Sequence, residues 1–467
     1  MLNFRQNVHP IFLKFAKKSR LGKQDGLLTN LWHKNCLIIR MMLISATPSP
    51  NVADNVWVLI STALVLMMCV PGLFLFYGGL VRSKNVLSIA AQCLALTAMG
   101  ILMWWAFGYS LVFGKNFSGG FLGHIFGGSE HFGFAGLGLS PDAAYAPGIS
   151  STVFALFQAM FAAITPALII GAVAERMKFS AVMLFSFLWT ILVYYPVAHA
   201  VWGATGDFAG LANPTAAFKA ADFAGGIVVH MTSGWSALLL CVLVGPRLGF
   251  GKRAMPPHSM VLCVVGTGLL WTGWYGFNAG SALAADGVAL QAFLTTTLGA
   301  AAATFAWAVI EQFHRGKISV LGLCSGAIAG LATVTNAAGF VSGGGALLIG
   351  LLAGGISYWA CSVLKPRFGY DDALDTFGVH GVGGTIGALA TALLMNATVN
   401  EAGGKLAGNG LLTGQLVAML SCVVLSLAMT WIIAKLVAGT IGLRPSEEAE
   451  GQGLDIADHG EEGYNQN

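Results

Sequence analysis

His230 and His380 each sit inside a long apolar stretch, at the end of "DFAGGIVVH" and within "DTFGVHGVGG". Ionisable groups are costly in hydrocarbon, so an imidazole kept there is a functional candidate by default. A neutral imidazole carries one donor and one acceptor nitrogen. Two such rings can share one hydrogen bond and still offer a donor and an acceptor to a guest. An unperturbed pKa of about 6.5 lets them exchange protons at modest cost. Proton handling is the chemistry this pair fits. Metal ligation is the runner-up, but no third ligand stands at helical spacing from either histidine.

Aromatic residues form the second constellation. "FQAMFAAITP" puts Phe157 and Phe161 four apart on one helix face. "WTGWYGFNAGS" adds Trp274, Phe277 and Ser281, and Trp202 stands at a helix end. Singly, each reads as a packing or membrane-interface residue. Together they could make a cage that replaces water around a small cation, through cation–π attraction of about 1–2 kcal/mol.

The elements that must position these residues follow from composition. The chain has 467 residues, 56% of them hydrophobic and 9% charged. Its mean hydropathy is +0.74. A soluble domain would carry about 25% charged residues. The chain reads as an all-α polytopic membrane protein. Its 62 glycines fit helices that pack closely through small residues. A net charge of +4, with no basic run among aromatics, argues against nucleic-acid binding. The eight cysteines form no CxxC pair and read as small buried residues rather than a zinc or disulfide framework.

Apolar runs predict eleven transmembrane helices, at about 56–77, 86–113, 148–174, 179–202, 223–245, 259–280, 291–312, 318–336, 343–364, 373–395 and 411–438. Eleven Lys/Arg residues flank the odd-numbered helix ends (Arg82, Lys84, Arg176, Lys178, Arg247, Lys252, Arg253, Arg315, Lys317, Lys365, Arg367), against Lys115, Lys219 and Lys405 in the other loops. That bias places the first group in the cytoplasm, the N-terminus outside and the C-terminus inside. Residues 1–45 hold eight Lys/Arg and contradict it. They read as an N-terminal extension or poor signal segment running to residue 51, with Met41 or Met42 as alternative starts. Residues 52–443 then form the transmembrane domain, and 444–467 a polar, acidic tail that is either a solvated terminus or a docking segment.

Helices one to five and six to ten form two five-helix sets, with a long eleventh helix added. Five is odd, so the second set enters from the opposite side, as an inverted repeat with its site near the midplane. In this reading the fifth helix starts at Asp222 and carries His230. The tenth starts near Asp375 and carries His380.

The chain also resembles the ammonium transporter (Amt/Mep/Rh) family, in particular the bacterial Amt proteins. The resemblance lies in "PGLFLFYGGLVRSKNVLS", "GAVAERMKFSA", "DFAGGIVVH", "GWYGFNAGSA", "VLGLCSGAIAGL" and "DTFGVHGVGG", and covers about residues 52–467. It implies a homotrimer in the cytoplasmic (inner) membrane, each subunit with its own narrow apolar pore. By the same resemblance Trp202, Phe161 and Ser281 form an outer recruitment site for ammonium. Phe161 and Phe277 form a stacked gate, and His230 and His380 the twin histidines of the pore. Asp222 belongs to the substrate site as the aspartate that orders a helix end. The tail resembles a cytoplasmic C-terminus that takes part in blockade by a PII signal-transduction protein. No cofactor and no metal are implied.

Ammonium and potassium have similar size and equal charge, but only ammonium can shed a proton. An apolar pore makes a charged guest expensive. The expected activity is ammonium transport by deprotonation, with ammonia and a proton passing the histidine pair. A passive channel for neutral ammonia, and an ammonium sensor acting through PII, are the alternatives. An intramembrane enzyme lacks a nucleophile with a matched base. A sodium-coupled amino-acid carrier lacks a carboxylate site.

Overall fold

Hydrophobic runs of this length can satisfy their backbone in lipid only by closing into helices, since every N–H and C=O must find a partner within the segment. The computed structural model, which describes residues 49–464 apart from residue 409, is accordingly all-helical: the described residues hold no β-strand beyond an isolated bridge between Ala209 and Ala220. In chain order the membrane helices are α1 (Val52–Leu80), α2 (Ser83–Phe113), α3 (Ser151–Val173), α4 (Phe179–Trp202), α5 (Gly226–Val244), α6 (Met260–Ala282), α7 (Gly287–Arg315), α8 (Val320–Val334), α9 (Gly343–Phe368), α10 (Phe377–Leu394) and α11 (Leu411–Thr440). The expected N-terminal extension or signal segment lies, up to residue 48, outside the described residues.

Ten of these helices are long and apolar enough to cross a membrane, and α8 is shorter. The eleven-helix expectation therefore holds only with α8 counted. Its 15 residues span about 22 Å at 1.5 Å per residue, against roughly 30 Å of hydrocarbon. Residues Cys324 to Val334 of α8 are all buried, so the helix is enclosed by protein rather than lipid. α3 is the most enclosed span and α11 the most exposed. Outward faces carry Leu94, Leu102, Phe313, Leu420 and Trp431, apolar groups suited to lipid.

Small residues bring the helices together. A Cβ on Gly79 would stand 2.6 Å from the Cys263 nitrogen, and one on Gly266 would stand 2.2 Å from the Phe76 nitrogen, so α1 and α6 cross backbone to backbone. The same device joins α5 to α10: a Cβ on Gly234 would lie 2.0 Å from the Gly381 nitrogen. This contact sets the separation of the two histidines, which stand four residues before Gly234 and one before Gly381.

The polar tail is folded as far as it is described. α12 (Glu447–Gln452) and a π-helical turn at Asp455–His459 lie against the starts of α2 and α4 and the loop after α5. The Ser88 N–H donates to Asp455 Oδ1 (2.8 Å), the Phe179 N–H to Asp458 Oδ2 (3.1 Å) and the Leu248 N–H to Glu450 Oε1 (2.8 Å). The solvated-terminus alternative does not describe residues 444–464.

Candidate functional site

The four residues expected to bind substrate line one cleft of about 200 Å³, with Gln158 and Phe223 beside them. Trp202 ends α4, and its indole N–H donates to the Asp222 carbonyl at 3.1 Å. Its ring stands 6.0 Å from Phe161, nearly perpendicular. Ser281 donates its hydroxyl proton to the Phe277 carbonyl (2.8 Å), leaving oxygen lone pairs to accept from a guest.

Below the cleft, the Phe161 and Phe277 ring centroids stand 4.4 Å apart at 40°. The expected stacked gate is thus a tilted pair. Phe157 joins it edge-on, 5.0 Å from Phe161. Under the pair lies a cavity of about 10 Å³, lined by Phe277, Trp274, His230, His380, Tyr77 and Leu168 among others. That is roughly the room one water-sized molecule needs.

The histidines meet at this cavity. Nδ1 of His230 and Nδ1 of His380 are 3.1 Å apart, both residues are buried, and the rings lie within 16° of parallel. Whichever ring holds the Nδ1 proton donates to the other, so one shared proton fixes opposite tautomers. Nε2 of His230 is buried without a hydrogen-bond partner. Both histidines sit in π-helical turns, Gly226–Met231 and Phe377–Gly381, which open α5 and α10. Such turns are frequent at functional sites.

Two aspartates hold these helix starts. Oδ1 of Asp222 accepts from the Gly225 (2.7 Å) and Gly226 (2.8 Å) N–H groups, and Oδ2 from Ile227 (2.9 Å) and Val228 (3.0 Å). All the free N–H groups of the first turn are met by one carboxylate. Burial pushes this carboxyl up to about 6, against the pull of those four N–H groups. Asp222 therefore shapes the site and has no oxygen left over for a guest.

α10 begins at Phe377, two residues beyond the start near Asp375 expected from the sequence, and the carboxylate that meets its first N–H groups is Asp372. Asp372 accepts from Thr376 N–H (3.0 Å) and Phe377 N–H (2.8 Å). Asp375 stands at φ 61° and pairs with Lys365 instead. Sequence reasoning missed Asp372, although a signal existed: Asp222 precedes His230 by eight residues, and Asp372 precedes His380 by eight.

Around Asp372 lies a buried charged cluster. Arg247 donates from Nε (2.9 Å) and Nη2 (2.8 Å) to Asp371, and from Nη1 (2.9 Å) to Glu175. Arg82 Nε reaches the other Glu175 oxygen at 2.9 Å. The Arg176 guanidinium donates to the Asp371 carbonyl. Burial pushes the Glu175 carboxyl up, but Arg82 and Arg247 outweigh it and hold it below the usual carboxylate range. Asp371 is held low in the same way, with Arg247 and Arg176 outweighing its burial. Asp372 is pushed up to about 6 by burial, against the pull of Lys365.

Comparison with known proteins agrees with this architecture. The Ammonium Transporter Family model matches residues 56–464. A putative ammonium transporter of Methanothermobacter thermautotrophicus is 48% identical over 420 residues, covering 89% of this chain and 98% of that one. The ammonium transporter of Bacillus subtilis is 44% identical over 417 residues, covering 89% and 99%. The crystal structure of Saccharomyces cerevisiae Mep2 superposes with a TM-score of 0.77 at 34% identity, covering 86% of this chain and 90% of that one. With most of its length inside the family model and its helices laid out as in a solved relative, this multi-pass membrane protein belongs to the Ammonium Transporter Family.

Proposed function

We propose that the protein moves ammonium across the cytoplasmic membrane by deprotonation, with ammonia and the proton crossing a hydrophobic pore past His230 and His380. The observation that carries this reading is the vertical order of parts: an aromatic cleft with a hydroxyl acceptor, a tilted phenylalanine pair, and a small, mostly apolar cavity lined by two hydrogen-bonded imidazoles. In the cleft, the ring faces of Trp202 and Phe161 attract a small cation, and Ser281 Oγ accepts one of its protons. Below the phenylalanines no charge-compensating group lines the cavity, so a cation faces its full desolvation cost there. Ammonium escapes that cost by leaving its proton behind. The neutral ammonia passes the gate, while the proton enters at Nε2 of His230, the shared Nδ1 proton shifts to His380, and His380 releases one from its Nε2 on the far side. Potassium has no proton to leave.

The cluster of Arg82, Arg176, Arg247 and Lys365 at one end supports that end as the cytoplasmic face, with the N-terminus outside. On the same face the folded tail presents the surface a PII protein would meet. A homotrimer in the inner membrane completes the reading, by likeness to the family.

The test is ammonium-evoked current from the purified protein in liposomes, with potassium as control. A saturable current with ammonium and none with potassium is expected. His230→Ala and His380→Ala should abolish the current while the protein still folds. Ammonia flux without current would move the function to a neutral-gas channel. Ammonium binding with neither current nor flux would move it to a sensor acting through PII. Full current from a folded double histidine variant would sink the proton route.

A further inference from the structure

α11 stands outside the two five-helix sets, yet it reaches the pore mouth. Gln415 lies within its first turns and is fully buried. Its amide offers both ends to a single residue: the Ala221 N–H donates to Oε1 at 2.9 Å, and Nε2 donates to the Ala221 carbonyl at 3.0 Å. Ala221 is the residue before Asp222. From the other side, Asn336 Nδ2 donates to the same carbonyl (2.9 Å) and to Thr391 Oγ1 (2.7 Å). The Phe223 N–H donates to the Asn336 carbonyl at 3.2 Å. Beside Gln415, a Cβ on Gly414 would stand 2.2 Å from the Lys219 carbonyl oxygen, so α11 has no room to slide along this segment.

We propose that Gln415 is a positioning residue of the pore mouth, setting α11 in register with the segment that ends in Asp222. The two-point amide pairing holds the peptide units on both sides of Ala221, including the one that leads into Asp222. The plane of that unit decides whether one carboxylate can meet four N–H groups of α5 at once, and whether the Asp222 carbonyl meets the Trp202 indole. Gln415 touches neither the cleft nor the histidine cavity, so it acts only through Ala221. Glutamine suits the position because it supplies a donor and an acceptor with no charge. A charged partner here would be buried close to the Asp222 carboxylate. The kinetic part of the inference rests on the transport function proposed above; the structural part does not.

Two measurements test it on the full chain in lipid nanodiscs and liposomes. The first is backbone hydrogen exchange in Gln415→Met, which keeps the volume but loses both bonds, and in Gln415→Glu, which when ionised keeps only the acceptor. Amides over 221–228 should exchange on the order of tenfold faster in Gln415→Met, the factor expected when a buried hydrogen bond is left unmade, and less so in Gln415→Glu. Amides over 376–380 should not change. Unchanged exchange over 221–228, or equal acceleration at both helix starts, would overturn the proposal. The second is the ammonium current: the half-saturating concentration should rise severalfold while the maximal current per folded protein is retained. A lower maximum with unchanged half-saturation would assign Gln415 a merely structural role. If the wild type carries no ammonium current, the transport function fails, and hydrogen exchange still decides for or against Gln415.

Discussion

In the orientation proposed above, the two ends of the pore, outer at Asp222 and inner at Asp372, use one device in two electrostatic settings. At each end an aspartate stands eight residues before a pore histidine and caps the helix that carries it. At the outer end, Asp222 takes four N–H bonds, and its backbone is steadied by neutral amides from Gln415 and Asn336. At the inner end, Asp372 takes two, and its neighbour Asp371 is gripped by Arg247 and Arg176. The difference teaches how a cation path can be kept free of traps. A bare carboxylate at the mouth would hold ammonium, and a lysine would repel it. Spending the Asp222 charge on backbone dipoles leaves the cleft to ring faces and neutral polar groups such as Ser281 and Gln158. The inner face has no such constraint and can be held by ion pairs.

The largest effect should come from breaking the inner grip. Arg247 is mostly buried, and its two carboxylate partners are almost wholly so. Arg247→Met leaves buried Asp371 without its main partner and Glu175 with only Arg82, which should cost about 3–5 kcal/mol. Thermal unfolding in detergent measures this, and an unchanged melting temperature would show that charge does not hold the inner face.

Next come the caps. Helix caps contribute about 0.5–2 kcal/mol, and buried donors left bare add about 1–3 kcal/mol. Asp222→Ala strands four N–H groups and Asp372→Ala two, so the outer variant should lose more stability and more transport. Equal losses would break the comparison. Asp222→Asn, which still accepts but carries no charge, should fall between wild type and Asp222→Ala.

Acidity gives a subtler reading. Glu175 and Asp371 are held low in the folded chain, so their stabilisation is present above the unfolded carboxylate pKa of about 4 and is lost as pH falls through their folded values. Asp222 and Asp372 have the opposite sign. Both are pushed up to about 6, so the folded state binds protons more readily than the unfolded state between roughly pH 4 and 6, and their contribution to stability declines as pH rises through that window. Melting temperature against pH should therefore have a maximum at about pH 4, where the first contribution is complete and the second begins to decline. Asp372→Asn should flatten its alkaline side, and a curve unmoved by that change would remove Asp372 from the account.

The smallest effect belongs to the cleft. Trp202→Leu removes one ring face, worth about 1 kcal/mol at a partly exposed site, and should raise half-saturation for ammonium about fivefold with little effect on the maximal current. A larger fall in the maximum would mean that Trp202 acts through its bond to Asp222 rather than as a ring.

Much of this was legible in the residues. Low charge and long apolar runs called for spanning helices, because lipid offers the backbone no partners. His230 and His380 were conspicuous because ionisable groups are rare in such runs. Phe161, Phe277, Trp202 and Ser281 emerged as a set once the family resemblance was added. Asp372 escaped because "DDALDTFGVH" holds three aspartates, and local spacing does not say which of them meets the helix start. Three-dimensional pairing decided among them: Lys365 takes Asp375, Arg247 takes Asp371, and Asp372 is left for the helix. Gln415 escaped because one glutamine in an apolar helix carries no periodicity that points to Ala221, 194 residues away.

By itself, the sequence determined the class of fold, the number and order of apolar segments, and the side chains able to handle a proton, since these depend on composition and local spacing. The tertiary structure alone decided which groups meet. The 3.1 Å contact between histidines 150 residues apart depends on Gly234 and Gly381 letting two backbones touch. The tilt of the phenylalanine pair, the sharing of Arg247 between two carboxylates, and the folding of the acidic tail onto two helix starts and a loop are likewise outcomes of packing. Each depends on the relative placement of helices far apart in the chain, and no local pattern encodes that placement.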